Sequence, residues 1–323
     1  MNKATAVSPA NIAFVKFWGL KNKELILAYN DSISMNLSNC ITKTTVEFSP
    51  KFKKHQIYLD LFGKGKQLIT GKKEGKIVNQ LERIKKLAKN NWFAQIYSQT
   101  NFPSEAGIAA SASAFSALTL AATYALKLKL SNKQLSVLTR LSGSGSACRS
   151  VVDGFCCWHK DCATQIAGVN HWPELTDIVA VVDTSTKKVS SFDGHQLALS
   201  SPYFKARIEE VNKRARLVTQ AIKQKDFKTL GEQAELDALS MHFVMMTSSP
   251  ALFALSPKSW NIIQSVRSWR EQGLQVYFTV DNGPNIHILC LETDKAKILQ
   301  RLKKMPEVLF TIVNKNCRGA RII

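Results

Sequence analysis

The chain has 323 residues, 45% hydrophobic and 21% charged, an ordinary balance for a folded globular protein that excludes a disordered or low-complexity chain. Lysine and arginine number 44 against 24 acidic residues, a formal net charge of +20; such a field draws phosphorylated metabolites, nucleotides, nucleic acid or acidic lipid without choosing among them. The amino terminus, MNKATAVSPANIAFVKFWG, lacks the apolar segment of a signal peptide, and no run approaches the roughly 18 apolar residues of a membrane span, so a cytoplasmic protein that does not enter membranes is expected.

The opening segments IAFVKFWG, ELILAYNDSISMNL and TKTTVEFSP are rich in β-branched and aromatic residues and read as strands, and HQIYLDLFGKGKQLIT reads as a hairpin turning at Gly63 and Gly65. From Lys76 onward, Ile77, Leu81, Ile84, Leu87 and Ala88 share one helical face, and FAQIYS then returns as a strand. A loop of Pro, Gly and Ser residues runs straight into a long Ala/Leu helix, and VVDGFCCWH and IVAVVD are the next strands. The second half changes character: helices near Pro202 to Lys223, Asp226 to Met245 and Pro257 to Gln272 precede a hairpin, LQVYFTVDNGPNIHILCL, and a last helix, DKAKILQRLKKM. The length suits about two domains, with the boundary near Asp183: an amino-terminal domain over 1–183 and a carboxy-terminal domain over 184–323, both α+β.

Seven cysteines without regular spacing fit a reducing compartment better than a disulfide framework. Cys156, Cys157, His159 and Cys162 in CCWHKDC could in principle ligate zinc, but the adjacent pair and the lack of a second matching cluster favour a strand carrying apolar thiols. The lysine runs, such as TGKKEGK and RIKKLAKNN, lack the interleaved aromatics of a single-strand binder and read as solvated surface.

Two stretches offer anion-binding chemistry. In LSGSGSACRS, Leu141 to Ser150, small residues let backbone N–H groups approach a ligand, serine hydroxyls add short donors, and Arg149 supplies a rigid fork for carboxylate or phosphate. A flexible turn is the competing reading. In NFPSEAGIAASASA, Asn101 to Ala114, a loop of small residues ends in a helix N-terminus, whose unpaired N–H groups and dipole suit a polyphosphate. The stretch lacks both the Walker A ending and the Rossmann glycine spacing.

Pro103, Gly107 and Ser111 form a Pro-x-x-x-Gly-x-x-x-Ser pattern that resembles the ATP-phosphate loop of the GHMP kinase superfamily. NIAFVKFWG resembles the Asn-Ile-Ala-x-x-Lys-Tyr-Trp-Gly-Lys start of diphosphomevalonate decarboxylases, GSGSACRS matches their substrate loop, and DNGPN resembles their Asp-Ala-Gly-Pro-Asn; YNDSISMNL and HWPEL look like family segments too. The resemblance implies an amino-terminal domain like ribosomal protein S5 domain 2, a ferredoxin-like carboxy-terminal domain, and an active site in the cleft between them. It implies ATP-dependent decarboxylation of (R)-5-diphosphomevalonate to isopentenyl diphosphate with release of ADP, phosphate and carbon dioxide, and a homodimer.

Carried over position by position, the resemblance gives Asp281, Lys16 and Arg149 as the catalytic residues. Asp281 would take up or orient the proton of the tertiary 3-hydroxyl, Lys16 would supply positive charge beside it, and Arg149 would clamp the carboxylate. Phe17, Trp18, Gly19, Leu20, Lys76, Ser144, Gly145, Ser146, Ala147, Cys148 and Ser191 would surround the substrate; Ser98, Gly107, Ala109, Ser111 and Ser113 would receive ATP. Mg2+ would arrive mainly on ATP oxygens, and no dedicated protein metal site is expected.

The departures from the family pattern gather at one end. The family's Tyr and second Lys are Phe17 and Leu20 here, a Met-Arg pair becomes His195-Gln196, and Ala110 replaces a common Ser. Lys21 is adjacent, but one residue along a strand points to the opposite face, whereas Lys76 could compensate. A less phosphorylated substrate, turned over by a phosphomevalonate decarboxylase or a mevalonate 3-kinase, is the alternative these changes raise. A basic nucleic-acid-binding protein on the same scaffold is more remote, because Lys16, Arg149 and Asp281 would then have no purpose.

Overall fold

The computed structural model describes residues 2–104, 107–185 and 191–323. In chain order the elements are β1 (Lys3–Val15), β2 (Leu20–Asn22), β3 (Leu27–Ala28), β4 (Ser32–Ser49), β5 (Gln56–Leu61), β6 (Gln67–Leu68), α1 (Lys72–Leu87), β7 (Phe93–Thr100), α2 (Ala110–Ala125), α3 (Asn132–Arg140), α4 (Ala147–Ser150), β8 (Phe155–His159), β9 (Cys162–Ala167), β10 (Leu175–Val181), α5 (Ser191–Leu197), α6 (Phe204–Gln224), α7 (Phe227–Met246), α8 (Pro257–Glu271), β11 (Val276–Thr279), β12 (Ile286–Leu291), α9 (Glu292–Lys303), β13 (Phe310–Asn314) and β14 (Arg321–Ile322).

Two sheets organise the chain. The first runs β14-β1-β4-β7-β5-β6, with β8 and β9 continuing from the early half of β4. Strand β4 is long enough to serve two neighbours, pairing Ser32–Met35 with β8 and Thr42–Ser49 with β7. Its second half alternates buried Thr42, Thr44, Val46 and Phe48 with more exposed Lys43, Thr45 and Glu47, the period of a strand with one covered face. Strand β1 is buried almost throughout, because helices cover both of its sides: α2 packs on one and α6 and α7 on the other. The uncharged sequence of α2, ASASAFSALTLAATYA, suits that position, since small side chains let the helix sit close to the strands.

The second sheet is antiparallel in the order β11-β12-β10-β13. Alternate residues of β10 enter different cores. Val179 and Val181 join Ile12, Phe14 and Met35 of the first sheet and Val211, Val218 and Leu230 of α6 and α7, while Ile178 and Ala180 pack with Ile262 and Val266 of α8 and Ile298 and Leu302 of α9. The two sheets therefore share a continuous core. Strand β10 precedes the boundary expected at Asp183 yet lies in the second sheet, and β14 at the far end of the chain returns to pair with β1. The crossing between sheets thus falls between Ala167 and Leu175.

The expected hairpins are present, with Tyr58 opposite Leu68 and Tyr277 opposite Leu289. Helix α1 begins four residues ahead of the expected Lys76. Helices α3 and α5 and strands β9, β13 and β14 have no counterpart in the sequence expectations. They are short pieces whose burial comes from neighbours distant in the chain, so local periodicity is a weak signal for them. All seven cysteines are free, and CCWHKDC is the β8–β9 hairpin, with Cys156 in a small core beside Cys148 and Trp158.

Candidate active site

Between the two sheets opens a cavity of about 530 Å3. The end of β1, the mouth of α2, the loop into α4, helix α5 and the β11–β12 turn each contribute to its wall.

Lys16 and Asp281 meet in this wall, Nζ to Oδ1 at 2.6 Å. Lys16 follows the last residue of β1, and its ammonium also donates to Ala13 O at 2.5 Å. Asp281 stands just beyond β11 in a turn closed by Gly283 N–H donating to Asp281 O at 2.8 Å. Lys16 is almost fully buried, whereas 21% of the Asp281 side chain is exposed, toward the cavity it lines. Burial pushes the Lys16 ammonium below its ordinary value, against the pull of Asp281. Burial would by itself raise the Asp281 carboxyl, but the Lys16 ammonium, with His287 and Arg149, holds it below the usual carboxylate value. The two side chains lie at ion-pair distance, and the Asp281 carboxyl faces the space a substrate would enter.

Arg149 is 2% exposed. Its Nε and Nη2 donate to Asn11 Oδ1 at 3.1 and 2.9 Å, and Nη1 donates to Ser32 Oγ at 2.7 Å. Among the described residues these partners are all neutral oxygens. A buried guanidinium without a bonded carboxylate is costly, and the fork retains donors beyond the three in use. Asn11 is itself tied to the α4 segment, Nδ2 donating to Ser146 O at 3.2 Å and Ser150 Oγ at 2.7 Å, so one asparagine holds this segment and the arginine in register.

The loop into α2 forms the second pole. Gly107 has φ +86°, and a Cβ there would lie 2.8 Å from Gly283 Cα; only glycine lets this loop pass so close to the Asp281 turn. Ala109 is held left-handed at φ 49° as the N-cap, and the first turn of α2 has neither an acidic residue nor a side-chain cap. Among the described residues, that leaves the positive end of the helix open to an anion. Ser111 Oγ lies 3.0 Å from Ser144 Oγ, joining this pole to the loop into α4. Ser98, paired with Thr44 at 2.7 Å, lines the outer part with apolar Leu59, Ile96, Phe115 and Leu118.

At the opposite end, Phe17 stacks on His195 with ring centroids 4.4 Å apart, and Trp18 lies 4.6 Å from the same imidazole. His195 Nδ1 accepts Gly19 N–H at 3.2 Å, and burial pushes the ring down to about 3, so it is neutral with its proton on Nε2. Leu20, Ile26, Phe192 and Lys76 complete this end, the Lys76 ammonium 5.7 Å from the Phe192 ring. Lys21 lines a separate groove on the other side of β2, as strand alternation requires, and Gln196 is occupied with Lys23 at 2.8 Å.

Most of the expected site residues converge on the cavity: Lys16, Phe17, Trp18, Leu20, Lys76, Ser98, Gly107, Ala109, Ser111, Ser144, Gly145, Ser146, Arg149 and Asp281. Ala147 and Cys148 do not line it. They are fully buried behind it, because in a helical turn Ser146 and Arg149 share a face that the two residues between them leave. Ser113 is likewise turned away and bonds Thr42 Oγ1 at 2.6 Å, whereas Ser111, Ala114, Phe115 and Leu118 form the cavity-facing stripe of α2. Gly19 acts through its N–H and its fit against Phe204. Ser191 opens α5, and its side chain lies outside the described residues. Missing from the expected site residues are Asn11, Ser32, Asp237 and His242, all buried and hydrogen-bonded to Lys16, Arg149 or Asp281. Asn11 and Ser32 do lie in NIAFVKFWG and YNDSISMNL, whereas Asp237 and His242 stand in no quoted segment.

An ATP-like polyphosphate fits the open α2 terminus, and the Ser111 and Ser144 hydroxyls are oxygen donors of the kind Mg2+ takes. Among the described residues no group of three His, Cys, Asp or Glu side chains could hold a metal ion unaided.

Two α+β layers around a shared core, with a small-residue loop feeding a helix N-terminus opposite a lysine–aspartate pair, define an enzyme of the GHMP kinase-like fold. Residues 8–167 match the diphosphomevalonate decarboxylase-like N-terminal domain and residues 177–319 the mevalonate 5-diphosphate decarboxylase C-terminal domain. The chain belongs to the diphosphomevalonate decarboxylase family. It is 35% identical to the Candida albicans diphosphomevalonate decarboxylase over 94% of this chain and 88% of that one, and 32% identical to the Saccharomyces cerevisiae enzyme over 94% and 81%. Its structure is similar to that of mevalonate diphosphate decarboxylase from Staphylococcus aureus, with a TM-score of 0.92 at 33% identity over 99% of this chain and 98% of that one. The enzyme from Enterococcus faecalis gives a TM-score of 0.90 at 32% identity over the same shares.

Proposed function

We infer that this protein carries out the ATP-dependent decarboxylation of (R)-5-diphosphomevalonate to isopentenyl diphosphate, with ADP, phosphate and carbon dioxide as the other products. The observation that carries the reading is Arg149, a buried guanidinium bonded to neutral oxygens beside the Lys16–Asp281 pair. Such a cation is suited to a carboxylate brought in by the substrate. Among similar structures is a complex with MVAPP, AMPPCP and magnesium.

In this reading the α2 terminus, Gly107, Ala109 and Ser111 receive the ATP phosphates, with the base near Ser98. Asp281 accepts the hydrogen bond of the 3-hydroxyl and takes its proton as the oxygen attacks the γ-phosphorus, while Lys16 balances the charge that gathers there. Ser111 and Ser144 would help to hold Mg2+ carried on the phosphates, and the ion would neutralise their charge. Arg149 holds the carboxylate. When the new 3-phosphate departs with the C–O bonding electrons, the carboxylate's C–C bond breaks, its electrons form the double bond, and carbon dioxide leaves. Ser144, Gly145, Ser146, Phe17, Trp18, Leu20 and Lys76 enclose the rest of the substrate.

We also place the protein in the cytoplasm and as a homodimer. Seven free thiols support the first, and no helix among the described residues is long and apolar enough to cross a membrane. The second is supported by an exposed apolar stripe of Leu236, Leu239 and Phe243 on α7, continued by Tyr203; on a chain of net charge +20, such a face is where two copies repel least.

The deciding experiment measures ADP and carbon dioxide together, offering mevalonate, 5-phosphomevalonate and 5-diphosphomevalonate in turn with Mg-ATP. Both products are expected with the diphosphate. ADP without carbon dioxide, or preference for a less phosphorylated substrate, would overturn the assignment.

A further inference from the structure

Lys16 and Asp281 share a structural problem: each lies just past the end of a strand. The β1–β4 ladder closes at Val15 opposite Ile33, and β11 ends at Thr279. The sheets therefore do not hold the reacting pair, and an unpartnered buried main-chain group is costly.

Helix α7 takes over at both points. Asp237, fully buried, accepts Lys16 N–H through Oδ2 at 2.6 Å. Its carboxylate is matched by Arg214 Nη1 at 3.1 Å and Arg207 Nη2 at 3.3 Å, and the same Arg207 nitrogen donates to Lys16 O at 3.1 Å. One ionic cluster from α6 and α7 thus reaches both peptide groups of Lys16, sharing the carbonyl with Asn30 Nδ2, which donates to it at 3.0 Å. Farther along α7, His242 Nε2 lies 3.2 Å from the main-chain oxygen of Asp281. That oxygen only accepts, so Nε2 carries the proton. Burial pushes His242 down to about 4, and the ring is neutral at working pH.

A buried ion cluster is an expensive way to fill a core, since apolar residues of the same volume do at least as well for stability. What apolar residues cannot do is bind a main-chain N–H and a carbonyl at a set distance. We propose that Asp237 and His242 are positioning residues for phosphoryl transfer: from one rigid helix they set the separation of Lys16 and Asp281, touching neither substrate. The proposal rests on Lys16 and Asp281 being the reacting pair. An error of about 1 Å in such a pair can cost on the order of a hundredfold in rate.

The test uses the full-length enzyme with Mg-ATP and 5-diphosphomevalonate, measuring kcat, both KM values, their pH dependence and the thermal midpoint. His242→Phe removes the donor, and kcat is expected to fall about tenfold or more with both KM values little changed. Asp281 is faced by Lys16 after β1, Arg149 on α4, His287 on β12 and His242 on α7. As the Asp281 turn loosens and its carboxylate draws away from Lys16, the acid limb of the kcat profile should move to higher pH. His242→Gln, which restores an N–H donor, should recover most of the rate. Because loss of Asp237 would strand two guanidiniums, Arg207→Lys probes that side: it keeps a cation beside Asp237 but cannot span to Lys16 O, and a several-fold loss of kcat is expected. A purely structural role would lower the thermal midpoint and leave kcat and the acid limb of the folded enzyme unchanged, which overturns the proposal. Asp281→Asn separates the two levels. If it stays active, the reacting pair itself is wrongly assigned; if it is inactive while His242→Phe matches the parent, only the positioning role falls.

Discussion

At the scale of single residues, the site works by placing charges where water cannot screen them. Lys16 and Asp281 are poised in opposite senses: burial lowers the ammonium, and the ammonium in turn holds the carboxyl down. The pair titrates as a unit, and the signs set its window. Asp281 must be ionised to take a proton, so activity should persist in acid to below the ordinary carboxylate value. Lys16 must keep its proton, so activity should fail in base earlier than an unperturbed lysine would allow. A kcat profile whose basic limb lies at or above the ordinary lysine value would contradict this assignment. Asp281→Asn should leave both KM values nearly intact while kcat falls by orders of magnitude, because the amide keeps the shape and cannot accept the hydroxyl proton. The residue types carrying this chemistry were legible in NIAFVKFWG, GSGSACRS and DNGPN. Their bonding was not: Asn11 and Ser32 stand in quoted segments, yet that they bond Arg149 from positions 138 and 117 residues away is visible only in the fold.

At the scale of elements, the decisive contact is between two loops. The loop into α2 and the β11–β12 turn meet at Gly107 and Gly283 with no room for a side chain. Gly107→Ala would be strained twice, by a positive φ and by a Cβ at 2.8 Å from Gly283 Cα. It should therefore raise KM for ATP and lower kcat together, because the Asp281 turn is pushed as well as the phosphate loop. A cost of about 1–3 kcal/mol in stability is expected from the strain. A change confined to ATP affinity would mean the turn yields without moving Asp281. Helical periodicity also explains why part of a matching motif misses the cavity: in SACRS only Ser146 and Arg149 share the inner face, and Ala147 and Cys148 serve the core. A linear motif cannot say which way each residue of a turn points.

At the scale of the whole molecule, the two sheets are fused rather than loosely hinged, with β10 feeding both cores and β14 returning to the first sheet. The apolar stripe on α7 then has two faces of interest, since the same helix carries Asp237 and His242 inward and Leu236, Leu239 and Phe243 outward. If a second copy covers that stripe, Phe243→Asp should shift the protein from dimer to monomer in sedimentation at micromolar concentration. An unchanged mass would place the dimer contact elsewhere.

The sequence by itself determined the α+β composition, the order of most elements and the family, because periodicity and short motifs are local properties that survive in any one chain. Only the tertiary structure decided which residues reach the cavity, where the chain crosses from one sheet to the other, and what holds Lys16 and Asp281 at their distance. Those are matters of contact between segments hundreds of residues apart: Asp237 is 221 positions from Lys16, and Asp281 is 265. At such separations the only information is the packing, and the packing exists only once the chain has folded.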